Sequence, residues 1–213
     1  MTKHAQHASA FSRSIRPRKE LAAWIERYWC WSATPEHTLP VLLPGTGHDL
    51  FFHRGVPFAS ANGRAHLICV RSQPHPLEAA GPLSFTAIRF RLGALRHFSP
   101  WAPAELFDRS LTPEDLWGAE GRRWAERVLC APDNTARIAI IEQQLMIWLD
   151  RYQRADRWMD DAARQIYYEH ASSDSIHRFA RKNSVSPRQF ERLFKQAQGM
   201  PPKAFHRLAR FQH

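Results

Sequence analysis

The chain has little of what marks several common protein classes. Its 213 residues include three cysteines, Cys30, Cys69 and Cys130. They stand far apart, which is neither a metal-ligand spacing nor an even-numbered disulfide framework. We expect all three to be reduced and structural. No run of about eighteen uncharged apolar residues occurs, so no membrane-spanning helix is expected, and the N-terminus lacks the apolar stretch of a secretory leader. A cytoplasmic location is the expectation. No Gly-x-Ser-x-Gly elbow is present and nothing marks a nucleophile. The twelve histidines invite a metal reading, with His48, His53, His66 and His75 near Asp49 and Glu78. They show neither the His-x-His nor the His-x-x-x-His spacing, so neither a metal nor another cofactor is expected. The composition favours a protein that is not an enzyme.

Acidic residues are scarce at both ends. From Asp174 onward there are nine Lys and Arg against two acids, a net of +7 out of +10 for the whole chain. The first nineteen residues carry five bases and no acid, while Glu20 to Ser173 has sixteen bases and eighteen acids. The positive field belongs to the ends. Segregated basic charge is the footprint expected for binding a polyanion such as DNA, because each Lys or Arg that neutralises a phosphate releases condensed counterions.

At 44% apolar residues the chain has enough to bury one good core or two small ones, and two domains is the better expectation. Residues 1–19 are polar and basic without periodicity and read as a flexible tail. Leu21, Trp24, Ile25 and Tyr28 follow helical or mixed spacing, after which Trp29 and Trp31 alternate as in a strand. Short apolar runs at Leu39 to Leu43, Asp49 to His53, Ala65 to Val70 and Phe85 to Arg91, separated by Pro, Gly and Asn, read as a small antiparallel sheet or partial barrel. After Pro100 the texture becomes helical. Ala104 to Phe107, Pro113 to Trp117 and Gly121 to Leu129 read as short helices. A longer one over about Thr135 to Tyr152 carries the stripe Ile138, Ile141, Leu145, Trp148 and Leu149, which suits core packing or self-association. The expected class is α+β: a tail at 1–19, a β-rich sensor-like domain at 20–110, a helical connector at 111–154 and an all-α domain at 155–213.

The last segment holds the sharpest signal. A helix over about Arg157 to Glu169 leads to a short one from near Asp174 or Ser175, expected to end near Asn183, a residue type that tolerates left-handed backbone. Ser186 then opens a third helix, with Pro187 in its first turn and Gln189 completing a Ser-x-x-Gln capping box. Phe190, Leu193, Phe194 and Ala197 fall on one side of it. Arg188, Arg192 and Lys195 fall opposite, flanked by Gln189, Glu191 and Gln196. A short helix, a tight turn and a well-capped helix with a cationic outer face form the helix-turn-helix pattern, whose second helix fits the major groove. An ordinary helical hairpin with solvated charges has the same spacing, and the charge segregation argues against it.

The run Val185-Ser186-Pro187-Arg188-Gln189-Phe190-Glu191-Arg192-Leu193-Phe194-Lys195, followed by Gly199-Met200-Pro201-Pro202-Lys203-Ala204-Phe205, closely resembles the first half of the DNA-binding domain of AraC-type transcriptional regulators. Pro201 stands where that family usually has Ser. More weakly, Leu43 to Phe52 and Ile88 to Gly93 resemble strand segments in the sensor-type domain of one branch. The resemblance implies a sequence-specific regulator of transcription that binds double-stranded DNA. It implies base reading by Arg188, Glu191 and Arg192, and phosphate contacts from Ser186, Gln189, Lys195, Lys203 and Arg207. Glu191 departs from the family's usual amide or basic choice.

Family members carry two helix-turn-helix units joined by a long helix, and this sequence ends at His213 within the stretch that resembles that helix. The expectation is therefore a regulator truncated after its first reading head. A homodimer and an unidentified small-molecule effector remain open as partners. Two alternatives stand beside this reading: a truncated regulator without specific DNA binding that acts through dimerisation, and a small-molecule-binding enzyme on the β domain.

Overall fold

The computed structural model describes residues 11–33, 41–42, 47–54, 64–69, 75–76, 83–168 and 173–212. The architecture is α+β. Among the described residues the strands are β1 Phe11–Ile15, β2 Ile25–Ala33, β3 Val41–Leu42, β4 Asp49–Arg54, β5 Ala65–Ile68, β6 His75–Pro76, β7 Leu83–Phe90 and, after the first helix, β8 Ser110–Leu111. Six of them form one antiparallel sheet in the order β1-β2-β7-β4-β5-β8, and β3 pairs with β6 separately. The helices are α1 Pro103–Leu106, α2 Pro113–Cys130, α3 Asn134–Tyr152, α4 Trp158–Tyr168, α5 Ser173–Lys182, α6 Pro187–Gln198 and α7 Pro202–Gln212. Among the described residues, no helix is long and apolar enough to cross a membrane.

Two sequence expectations change here. Part of the expected tail is strand β1, paired with β2 from Phe11 opposite Ser32 to Ile15 opposite Tyr28. An edge strand of this kind is held by its neighbour's backbone, so its own polar residues gave no apolar alternation to read. Residues 1–10 lie outside the described part. The mixed spacing of Leu21, Ile25 and Tyr28 belongs to a 3₁₀ turn at Lys19–Leu21 followed by β2, whose register against β7 shifts between Ile25 and Arg27. That irregularity lets Ile25 and Tyr28, three apart, both be fully buried. Strand β7 lies between β2 and β4, and Phe85, Thr86, Ala87 and Ile88 are all buried.

One face of the sheet packs on α2 and α3. The contact is built on tryptophans: Phe52 meets Trp124 edge-on at 5.0 Å, and Trp148 stacks on Trp117 at 3.9 Å and meets Trp124 edge-on at 4.8 Å. The α3 stripe Ile138, Ile141, Leu145, Trp148 and Leu149 is buried in this core rather than offered to a partner. Thr112 caps α2 in a reciprocal box with Asp115, and Gly118, at φ 60° and ψ −147°, interrupts the helix between the two segments legible in the sequence. Cys30 and Cys69 are buried free thiols, whereas Cys130, expected to be structural like them, is exposed at the end of α2.

A second core gathers α4 to α7. It contains Met159, Ile166, Phe179, Phe190, Phe194 and Phe205, with Leu92 and Phe107 packed against it from the first unit.

Candidate nucleic-acid interface

The turn between α5 and α6 is fixed by its own hydrogen bonds. The N–H of Val185 donates to the Ala180 carbonyl at 3.0 Å and that of Ser184 to Arg181 at 3.1 Å. This is the paired closure of a Schellman motif. The left-handed residue is Ser184, at φ 55°, one position beyond the Asn183 expected. Asn183 serves differently, its side-chain amide donating to the Phe179 carbonyl at 3.0 Å. Ser186 then adopts extended backbone and its Oγ accepts from the Gln189 N–H at 3.1 Å, with Pro187 in the first turn. These groups satisfy donors and acceptors that two helix ends would otherwise leave open.

The inner side of α6 is anchored by rings. Phe190 lies 6.1 Å from Phe179 of α5, and Phe194 meets Phe205 of α7 edge-on at 5.3 Å. Phe190 and Phe194 are fully buried, Ala197 is buried and Leu193 is half-buried. The helical stripe therefore fixes the rotation of α6 about its axis. Its opposite side faces outward.

Of the side chains singled out from the sequence, Ser186, Arg188, Gln189, Glu191, Arg192 and Lys195 belong to α6 and its cap, and Lys203 and Arg207 to α7. Arg188, Glu191 and Arg192 are exposed, as are Ser186, Gln189, Lys195, Lys203 and Arg207. Arg188 and Arg192 are one turn apart, as their spacing requires. Among the described residues, none of these charged groups takes part in an ion pair. Their donors face solvent, and a row of uncompensated guanidinium and ammonium groups on a rigid helix suits an anionic partner.

Sequence reasoning missed the seam that joins this unit to the first. Arg96, 5% exposed, donates from Nε to Asp160 at 3.1 Å, from Nη1 to the Asp156 carboxylate at 2.8 Å and from Nη2 to the Asp156 carbonyl at 2.9 Å. The Arg154 N–H donates to His97 Nδ1 at 3.0 Å, so the ring proton sits on Nε2, 2.8 Å from the other Asp160 oxygen. At the far end of α6, Gly199 sits at φ 84°, and a Cβ there would come within 3.0 Å of the Pro103 carbonyl of α1. The four-residue spacing of Asp156 and Asp160 was the available signal. It places both acids on one face but does not name their partner.

The histidines of the sheet are structural in setting. His48, His53 and His66 are buried, and the rings of His53 and His66 stack at 5.1 Å. Asp49 is bonded to Arg89, whose charge it stabilises so that the guanidinium is held above its ordinary pKa. Among the described residues, no three His, Cys, Asp or Glu side chains gather as metal ligands. The side chains of His75 and Glu78 lie outside the described part.

Comparison with known proteins reaches the sheet unit. No curated protein and no solved structure matches the chain. A family model described as a domain of unknown function, DUF6597, matches residues 13–112, a span that runs from within β1 to just past β8 and so coincides with the six-stranded sheet.

Proposed function

We propose that the chain is a sequence-specific DNA-binding regulator of transcription, with α5 and α6 as a helix-turn-helix of the AraC type and the sheet unit as its sensor-like partner. The observation that carries this reading is the outer face of α6. Arg188, Glu191 and Arg192 project from a helix whose start, end and rotation are all fixed, and none of the three is paired within the described protein. In a major groove, Arg188 and Arg192 would donate bidentately to guanine, and Glu191 would accept from cytosine, each good pair contributing about 1–3 kcal/mol of discrimination. Ser186, Gln189, Lys195, Lys203 and Arg207 would hold phosphates, adding affinity and register without sequence information. The reading assigns no catalytic residue and places the protein in the cytoplasm with the genome.

Selection of bound duplexes from a random pool, followed by anisotropy titrations across salt concentrations, tests it. The expected result is an enriched motif and an affinity falling linearly in log–log form, with a slope of about −0.9 per phosphate contacted. A pool that stays random after repeated rounds would contradict sequence reading, and a salt-independent affinity would contradict phosphate contact.

A further inference from the structure

A cavity of about 330 Å³ opens between the sheet unit and α4, within the range of small-molecule sites. Its walls include Trp24 from the approach to β2, Arg91 just after β7, and Arg157, Arg164 and Tyr168 from α4 and the residue before it. Three arginines therefore converge on one space from two units. Arg91 is steadied by one bond, Nε donating to the Ala22 carbonyl at 2.9 Å, and the Arg157 guanidinium lies 5.3 Å over the Trp24 ring. Among the described residues, Arg164 has as its ion-pair contact the exposed Asp161 at 3.7 Å.

Of the three acids along the same wall, Asp161 faces Arg164 itself, and the other two are engaged outside the cavity. Both Asp160 oxygens are taken, one by Arg96 and one by His97. Glu26 lies 3.8 Å from Arg27 and 4.0 Å from Arg89. With Asp160 and Glu26 engaged outside it, the cavity presents the Arg91 and Arg157 guanidinium forks, and Arg164 beside its exposed acid Asp161, next to an indole and a phenol. That combination recognises an oxyanion, carboxylate or phosphate, attached to an apolar body.

The geometry points to a binding site for a small organic anion, carrying a carboxylate or phosphate, in this cleft, with Arg91, Arg157 and Arg164 holding the anionic group. One wall belongs to α4, which packs on α6 and α7. An occupant therefore favours the arrangement in which the two units are docked, and its differential affinity for that arrangement shifts the DNA-binding unit's population. The site stands by itself. Only this consequence rests on the DNA-binding reading.

Titration calorimetry of the full chain at constant ionic strength tests the site, with benzoate and inorganic phosphate as probes and benzylamine as a cation of similar size to benzoate. At least one anion is expected to bind at a single site, to raise Tm by about 3–6 °C at ten times its Kd, and to be ignored by the Arg157→Gln/Arg164→Gln variant, whose circular dichroism should match the parent. Loss of at least tenfold in anion affinity in that variant supports the site. Absence of binding by both anions, equal binding of benzylamine, or unchanged affinity in the variant overturns it. Repeating the DNA titration with the bound anion then separates the two claims. A shifted DNA affinity supports the coupling, and an unshifted one overturns it while leaving the site. Anion binding in a protein that binds no DNA would be a failure of the proposed function alone.

Discussion

Arg96 Nε and Asp160 Oδ1, from the 3₁₀ turn at Ala94–His97 and from α4, lie 3.1 Å apart with both side chains largely out of water. Because Asp160 also meets His97, and Arg96 also holds Asp156, this pair is the centre of the link between the two cores. Removing Arg96 leaves Asp160 with only His97, and removing Asp160 leaves Arg96 with only the more exposed Asp156; breaking a buried pair typically costs about 3–5 kcal/mol. Arg96→Ala and Asp160→Ala should each lower the unfolding free energy measured in urea by an amount in that range. Their combination should be far from additive, since the two remove one interaction. Additive losses would mean that the pair does not act as a unit.

The left-handed residues on either side of α6 should respond in opposite directions. Ser184 pays the steric cost of φ 55° with a Cβ, so Ser184→Gly is expected to be neutral or stabilising by up to about 1 kcal/mol. Gly199→Ala adds that strain and drives a Cβ against the Pro103 carbonyl, so it should destabilise by at least about 1–2 kcal/mol. Thermal unfolding of the two variants reads both signs. A Gly199→Ala protein as stable as the parent would show that α6 does not approach α1 this closely.

Thiol chemistry distinguishes the three cysteines. Burial pushes the Cys30 thiol up, and Cys69 is also enclosed, whereas Cys130 is exposed. Since thiolate character and access set reactivity, an aromatic disulfide reagent should label one thiol per folded chain, at Cys130, and three after denaturation. Rapid labelling of a second site in the native protein would contradict the packing of the sheet on α2 and α3.

Glu120 makes part of the first core sensitive to acid. Burial by itself would raise its pKa, but hydrogen bonding and charge from Arg151, with further bonds from Gln144 and Trp148, hold it below the usual carboxylate value. A lowered folded-state value means that the contribution to stability is present above the ordinary glutamate range near 4.5 and is lost as pH falls through the folded-state pKa. Glu120→Gln should therefore flatten the acid limb of a stability-against-pH curve and change its slope little near neutrality. An unaltered acid limb would show that Glu120 is not the titrating group.

How much of this was legible in the sequence depends on how local each cause is. The start of α6 is legible because Ser186 and Pro187 carry the cap, although Ser186 Oγ accepts from the backbone N–H of Gln189 and the expected return bond from the Gln189 side chain is not among those of the described residues. Its rotation is legible because Phe190, Phe194 and Ala197 share one face. The break at Gly118 and the α3 stripe were local in the same sense. Strand β1 was not legible, since its pairing is decided by β2 and not by the serines and arginine it contains. The start of β2 was misleading because its register shift places Ile25 and Tyr28 at a helix-like interval. Ser184 rather than Asn183 takes the left-handed position because the bonds to Ala180 and Arg181 set the turn. The seam of Arg96, His97, Asp156 and Asp160, and the arginine cleft beside it, join residues about sixty positions apart, and no local pattern names such partners.

The central claim is that Arg188 and Arg192 read bases while Lys203 only holds a phosphate. The most direct measurement is the ratio of affinities for a selected duplex and its scrambled counterpart, in the parent, in Arg188→Ala/Arg192→Ala and in Lys203→Ala, at one salt concentration. The double variant is expected to lose about 2–6 kcal/mol of discrimination, bringing the ratio toward one. Lys203→Ala should weaken both duplexes alike and make the salt slope shallower by about one. A double variant that keeps the parent's ratio would rule out base reading by Arg188 and Arg192.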